Sequence, residues 1–291
     1  MIKADQYYKQ NLRTLLERGY TDENPRPKYK DGTPANSKFI TQIVETYDIS
    51  TGEFPITTLR NTATKMGIKE VLWIYQKQSN KLSDAQELGI NWWNPWDIGD
   101  GTIGQRYGAT VRRYDIMNKL LHGLEHHPFS RRHIMDLYQY QDFNESDGLH
   151  PCAFQTLWSV RKVNSEYYLD LTLVQRSNDY VVSGYINKIQ YVALQMMIAG
   201  SLDYKCGSFM HIVQNLHIYD RHFSVANKIL LRSSLEQQPV LELKENKNFY
   251  DYTVDDFEVK NIEGIEKLPS KLEIAIVVTW FQIIISNTLI I

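Results

Sequence analysis

Leu149-His150-Pro151-Cys152-Ala153-Phe154-Gln155, followed downstream by Gln175-Arg176-Ser177-Asn178-Asp179 and then Asn187, carries the decisive reading of this chain. A cysteine in a proline-stiffened turn, an arginine closing an apolar strand and an amide beyond it are suited to gripping an anion and reading the edge of a flat ring. From residue 133 onward the apolar period is two, so 133–138, 156–161, 168–175 and 208–219 read as strands. A long apolar helix at 187–201 interrupts them.

On the N-terminal side, 4–18 reads as an amphipathic helix with Leu12, Leu15 and Leu16 on one stripe. Residues 22–37 are a Pro-, Lys-, Asp- and Gly-rich loop, and 39–47 alternates toward a strand. A helix is expected over 62–78, with Met66, Glu70, Trp73 and Lys77 near one face. The stretch 91–109 is Trp-, Gly- and Pro-rich and irregular, and a helix at 113–126 carries Ile116, Leu120, Leu121 and Leu124. Beyond the last long strand come a helix at 221–234 and short strands at 239–243 and 255–260. With no linker and no repeat, one α+β domain is predicted, a mixed β-sheet packed by helices. Several strands are apolar on both faces, so both sides must be covered, by helices on one and with a partner subunit as a candidate for the other.

A hydrophobic content of 43% and a charged content of 23% suit a soluble globular protein. The net charge of −2 gives no basic footprint for nucleic acid, so anion binding falls to locally placed arginines. Cys152 and Cys206 alone do not make a disulfide scaffold, and free thiols suit a reducing cytoplasm. The opening Met-Ile-Lys-Ala-Asp-Gln lacks the apolar stretch of a secretory signal.

The cysteine and arginine boxes, at their spacing, resemble those of thymidylate synthase, and the likeness runs along nearly the whole chain, most closely to the streptococcal and lactococcal type. The resemblance implies reductive methylation of dUMP to dTMP, with 5,10-methylenetetrahydrofolate giving both carbon and hydride and leaving as dihydrofolate. It implies no metal. It also implies a homodimer, with a sheet face as the twofold interface and Arg131 and Arg132 reaching into the other subunit's site. Two alternatives stand beside it: a uracil-nucleotide hydroxymethylase of the same fold, in which water finishes the reaction, and an impaired homologue that binds nucleotide without turnover.

Cys152 is the expected nucleophile, because a thiolate near positive charge can add to the C6 carbon of uracil and activate C5; an inert buried thiol is the reading preferred for Cys206. Many family members carry His after the cysteine, whereas this chain has Ala153, as the streptococcal type does. Arg26, Arg131, Arg132 and Arg176 match the phosphate-binding positions, since guanidinium forks suit phosphate oxygens, with Ser177 and Gln175 beside them. Asn187 matches the residue that holds the uracil edge, where relatives acting on cytosine have an acid. Its bland alternative is an N-cap for a helix opening at 187. His217 and Tyr219 share one strand face and match contacts to the sugar's 3′-hydroxyl.

On the folate side, the resemblance points to Trp93, Leu149 and Asp179, with Trp96 as the weaker bet. Ser183 replaces a glycine usual in the family. Glu70 sits among apolar neighbours, where a carboxyl has a raised pKa and can shuttle protons; the bland reading is a surface Glu paired with Lys77. Tyr107 matches the tyrosine that helps remove the C5 proton. The i, i+4 pair in His122, His126 and His127 lacks further metal ligands, and Gly99–Gly104 lacks the Lys-Ser/Thr ending of a phosphate loop.

Residues 272–276 resemble the family's C-terminal segment, whose end closes over bound ligands, so Ile276 is a cofactor-side candidate. The catalytic domain is therefore taken as 1–276, with 277–291 an atypical apolar extension. From Ile274 that stretch carries no charge over eighteen residues, the lower edge of a spanning helix, but Gln282, Ser286, Asn287 and Thr288 weaken it. A readthrough product or a segment packed on the domain is preferred to a membrane tether. Displacing the terminal carboxylate should reduce turnover more than nucleotide binding.

Overall fold

The computed structural model describes residues 1–268 and 272–277, so the expectations for 278–291 fall outside the described residues. The helices are α1 (Lys3–Arg18), α2 (Thr64–Val71), α3 (Leu82–Glu87), α4 (Gly108–Arg113), α5 (Ile116–His126), α6 (Tyr140–Glu145), α7 (Gly184–Ser201) and α8 (Phe223–Leu231). The strands are β1 (Tyr20–Thr21), β2 (Pro27–Lys28), β3 (Ser37–Asp48), β4 (Ile134–Asp136), β5 (Ala153–Val163), β6 (Glu166–Asp179), β7 (Lys205–Tyr219), β8 (Val240–Leu243), β9 (Phe257–Lys260) and β10 (Ile276–Val277).

Among the described residues the main sheet has six strands in the order β1-β3-β7-β6-β5-β4. β6 and β7 run parallel and the other neighbours antiparallel, so the sheet is mixed as expected. The parallel pair needs a long crossover, which α7 provides. β5 and β6 form a hairpin through Asn164 and Ser165, both at positive φ (48° and 75°), the condition of a tight turn matching strand twist.

Strand alternation separates two faces. Leu169, Leu171, Leu173 and Gln175 of β6 are buried, with Phe209, His211 and Val213 of β7. The other parity stays open in the single chain: Val44 is 48% exposed and Leu157 37%, with Met210 and Ile212 half-buried. This apolar face is left uncovered among the described residues of the single chain.

Three expected helices differ from the structure. The helix predicted at 113–126 begins later, as α5, because Asp115 takes a left-handed φ of 52°, a conformation that short polar Asp tolerates; α4 ahead of it was not anticipated. The one predicted at 62–78 is α-helical only to Val71 and then π-helical over Leu72–Gln76, a widening common beside functional sites. The last is shorter than 221–234, and α6 was not anticipated.

Candidate active site

The β5–β6 register sets Ala153 opposite Gln175, which brings the cysteine turn against the arginine box. The Arg176 N–H donates to the Cys152 carbonyl at 2.9 Å. The Arg176 side chain donates from Nε to the Pro151 carbonyl at 2.9 Å and from Nη2 to the His150 carbonyl at 2.7 Å. Nη2 also lies 3.5 Å from Cys152 Sγ. Burial pushes the Cys152 thiol above its ordinary value, with the Arg176 charge working against that rise. Arg176 is therefore the expected neighbouring cation, but burial outweighs it. Among the described residues no such cation acts on Cys206, and burial pushes it up to about 12.

Tyr107 joins the cysteine to the irregular segment before α4. Its hydroxyl accepts the Cys152 N–H at 3.1 Å. Its backbone has φ 47° and ψ −109°, a sparsely populated conformation costing on the order of 1–3 kcal/mol. Its ring meets Trp93 edge-on, with centroids 5.1 Å apart. Gly104 nearby has φ 78°, and a Cβ there would come within 2.2 Å of the Asp147 carbonyl oxygen. Gly104 thus serves a close approach of two loops, whereas Gly99 and Gly101 face open space.

Glu70, at the end of α2, is 7% exposed and accepts a hydrogen bond from Trp92 Nε1. Burial raises its carboxyl to about 7, with the Trp92 bond opposing the rise. Lys77 instead pairs with Asp84 and Glu87, so the surface-pair alternative for Glu70 does not hold. Asp179 is likewise raised to about 7 by burial, although the Val182 N–H donates to it at 3.1 Å.

The parallel β6–β7 register places Asp179 opposite His217. Burial pushes His217 down to about 4, and its Nδ1 lies 3.2 Å from the Asn215 side-chain oxygen. Tyr219, edge-on to His217, is raised above its ordinary value by burial and by the charges of Asp179 and Cys152. Ser177 opposes Asn215 across the same ladder.

Asn187 lies inside α7, which begins at Gly184 with Ser183 as the N-cap position, so the N-cap alternative is corrected. Its Oδ1 accepts from Gln175 Nε2 and Asn178 Nδ2, each at 3.2 Å, and its Nδ2 donates to Gln190 Oε1 at 2.9 Å.

The remaining candidates are more dispersed. Arg26 is exposed, and its charge acts on His150 together with those of Arg106 and Arg176, which puts it in the same field. Leu149 is half-buried against the core. Ile276 pairs with Lys28 in the β10–β2 ladder, beside Arg26, and Arg221 anchors that segment through Glu273 (2.8 and 2.7 Å) and Asp31 (2.7 Å). Arg131 and Arg132 are exposed ahead of β4 at the sheet's edge. Among the described residues no hydrogen bond or ion pair links their side chains to Cys152 or Arg176. They are not brought to the site within one chain.

Sequence reasoning missed several supporting groups. Arg60 is 4% exposed, and its charge acts on Asp179. Arg106, 1% exposed, braces the loop before Leu149 by donating to the Asp142 (2.9 Å) and Ser146 (2.8 Å) carbonyls. Lys188 and Glu45 form an ion pair at 0% and 3% side-chain exposure. The signal is a lysine within a long apolar helix, α7, which demands a buried counter-charge. Among the described residues no three His, Cys, Asp or Glu side chains gather as a metal site, and no helix is long and apolar enough to cross a membrane.

A sequence model of the family "Thymidylate synthase" matches residues 6–274. The thymidylate synthase of Lactococcus lactis subsp. cremoris is 51% identical over 280 residues, covering 95% of this chain and all of that protein. That of Streptococcus pneumoniae is equally similar, at 51% with the same coverage. Among solved structures, thermostable thymidylate synthase A from Bacillus subtilis aligns with a TM-score of 0.86 and 33% identity, covering 94% of this chain and 99% of its own. The hydroxymethylase and non-catalytic alternatives find no support in these relatives. In fold, along nearly its full length and in the assembly of its cysteine and arginine boxes, this chain belongs to the thymidylate synthase family.

Proposed function

We propose that Cys152 is the nucleophile with which this enzyme converts dUMP to dTMP, and the observation that carries the assignment is the Arg176 guanidinium 3.5 Å from its sulfur. The reaction is the family's reductive methylation of dUMP. Its co-substrate, 5,10-methylenetetrahydrofolate, supplies the carbon and the hydride. Trp93, with its flat ring against Tyr107, and Asp179, with a carboxyl near neutrality, suit a ring that has an apolar face and N–H groups; Leu149 and Ile276 are their proposed neighbours.

In this reading Cys152 adds to C6 of the pyrimidine, and Asn187 holds the edge at position 4. Glu70, near pH 7 in its titration, holds or moves a proton at O4 through water. Tyr107, anchored on the Cys152 N–H, assists removal of the C5 proton. Arg26, Arg176 and Ser177 face the phosphate side and His217 and Tyr219 the sugar, while Gln175, expected beside the arginines, is buried behind Asn187 with its amide committed to Ser177, Asn187 and His211. The family is generally dimeric. The exposed apolar sheet face supports a twofold contact there, and the edge position of Arg131 and Arg132 supports their donation to the partner's site. Residues 1–276 form the catalytic domain in this proposal, with 277–291 an extension to it, and two free thiols suit the cytoplasm.

The test is spectrophotometric. Mixing the protein with dUMP and methylenetetrahydrofolate should produce dihydrofolate, and Cys152→Ser should produce none. Turnover by Cys152→Ser at the wild-type rate removes the assignment. A chain ending at Ile276 should turn over faster than the full chain while binding dUMP with similar affinity; an equal rate refutes the role given to the extension.

A further inference from the structure

Behind Asn187 a buried polar strip crosses three strands. Glu45 of β3 stands opposite His211 of β7 across their ladder. His211 Nε2 in turn lies 2.8 Å from the Oε1 of Gln175 on β6. Glu45 is 2% exposed, and Gln175 and His211 1% each, all under α7.

The polarity of this strip follows from one unambiguous acceptor. Gln175 Nε2 lies 3.0 Å from the Ser177 carbonyl oxygen, which can only accept. The Gln175 amide nitrogen must therefore face Ser177, its Oε1 must face His211, and His211 Nε2 must carry the proton. Burial and the Lys188 charge push His211 down to about 3, so the ring is neutral and its single N–H is committed to Gln175. The other N–H of Gln175 goes to Asn187 Oδ1, which Asn178 also engages. With both acceptor positions of Oδ1 used and one Nδ2 hydrogen given to Gln190, Asn187 has one N–H left for a ligand.

We propose that His211 is a positioning residue for base selection: through Gln175 it locks the Asn187 amide with its oxygen inward and an N–H outward. The site then favours a pyrimidine bearing an acceptor at position 4, the carbonyl oxygen of uracil, over one bearing a donor there, the amino group of cytosine. A donor facing a donor leaves two desolvated N–H groups unpaired, and sites built this way discriminate strongly. The inference rests on Asn187 contacting the base.

The experiment measures affinities for dUMP, dCMP and base-free 2-deoxyribose 5-phosphate, with KM and kcat for dUMP, in the full chain. His211→Phe removes the donor and should cut the dUMP-over-dCMP affinity ratio about tenfold, expressed mainly in KM. His211→Gln, which can donate to Gln175, should restore most of it. Gln175→Glu, which gives Asn187 an acceptor instead of a donor, should repeat the loss without touching the ring. Affinity for 2-deoxyribose 5-phosphate should be unchanged in both His211 variants. An unchanged ratio in His211→Phe and Gln175→Glu overturns the proposal, as does an equal loss for dUMP and the sugar phosphate, which would mark His211 as structural. Asn187→Asp separates the underlying reading: if its ratio also stays at the wild-type value, Asn187 does not read the base and the relay falls with it. If Asn187→Asp shifts the ratio and the His211 and Gln175 variants do not, only the relay falls.

Discussion

Arg176 holds its guanidinium 3.5 Å from the Cys152 sulfur while spending two of its N–H groups on the carbonyls of His150 and Pro151. One side chain thus shapes the turn that presents the thiol and supplies the charge that opposes the rise in its pKa. Replacing Arg176 with Ala should move the pH profile of Cys152 alkylation upward and slow it about tenfold at pH 8. Iodoacetamide labelling with mass detection reads this, and Cys206, pushed up to about 12, serves as the unreactive internal control. An unshifted profile removes the electrostatic role.

The burial of Glu70 comes at the expense of stability. A carboxyl raised from 4.5 to about 7 in the fold favours the native state when protonated. Its contribution is fully present below the unfolded value and lost as pH rises through about 7. The difference corresponds to roughly 3 kcal/mol at most. Glu70→Gln should therefore melt a few degrees above wild type at pH 8, with little difference at pH 4.5, and lose most of its turnover. A variant that melts lower than wild type at pH 8 contradicts this.

The Lys188–Glu45 pair predicts a different signature. Glu45 also accepts from Tyr47 (2.7 Å), Tyr180 (2.9 Å) and Asn11 (3.1 Å). Burial opposes its ionisation, but the Lys188 charge and the Lys188 and Tyr47 hydrogen bonds hold its carboxyl below the ordinary range. Lys188→Met alone leaves that charge unpaired and should cost about 3–5 kcal/mol in denaturant unfolding. Adding Glu45→Gln should recover a large part, because the stranded charge is gone. Strict additivity of the two losses would argue against direct coupling.

Hybrid dimers test the proposed donation of Arg131 and Arg132. Cys152→Ser and the double variant Arg131→Ala/Arg132→Ala should each be nearly inactive alone. Mixing and re-forming dimers should restore turnover, approaching one working site per hybrid, because the intact cysteine then meets intact arginines from its neighbour. Absence of recovery in dimers shown by mass to be mixed would place the arginines' function elsewhere.

The open sheet face offers an independent check on assembly. Val44→Glu with Leu157→Lys places charges where an apolar contact is proposed, and should shift the protein to monomer in light scattering with loss of turnover. A dimer that persists at micromolar concentration would exclude that face.

The sequence alone determined the strand and helix pattern and the identity of the chemical groups, because burial periodicity and turn chemistry are local. The strands at 156–161, 168–175 and 208–219 lie within β5, β6 and β7, and the cysteine turn and the arginine box stood out by residue type and spacing. Helix ends were less legible: one left-handed residue, Asp115, sets the start of α5 at Ile116 rather than at 113. What only the tertiary structure decided was register and depth. The β5–β6 pairing sets Cys152 against Arg176, the β3–β7 pairing sets Glu45 against His211, and burial carries Glu70 and Asp179 to about 7. Hydrogen-bond direction behind Asn187 and desolvation at Glu70 depend on atoms far apart in the chain meeting at contact distance, and no local pattern of residues encodes that.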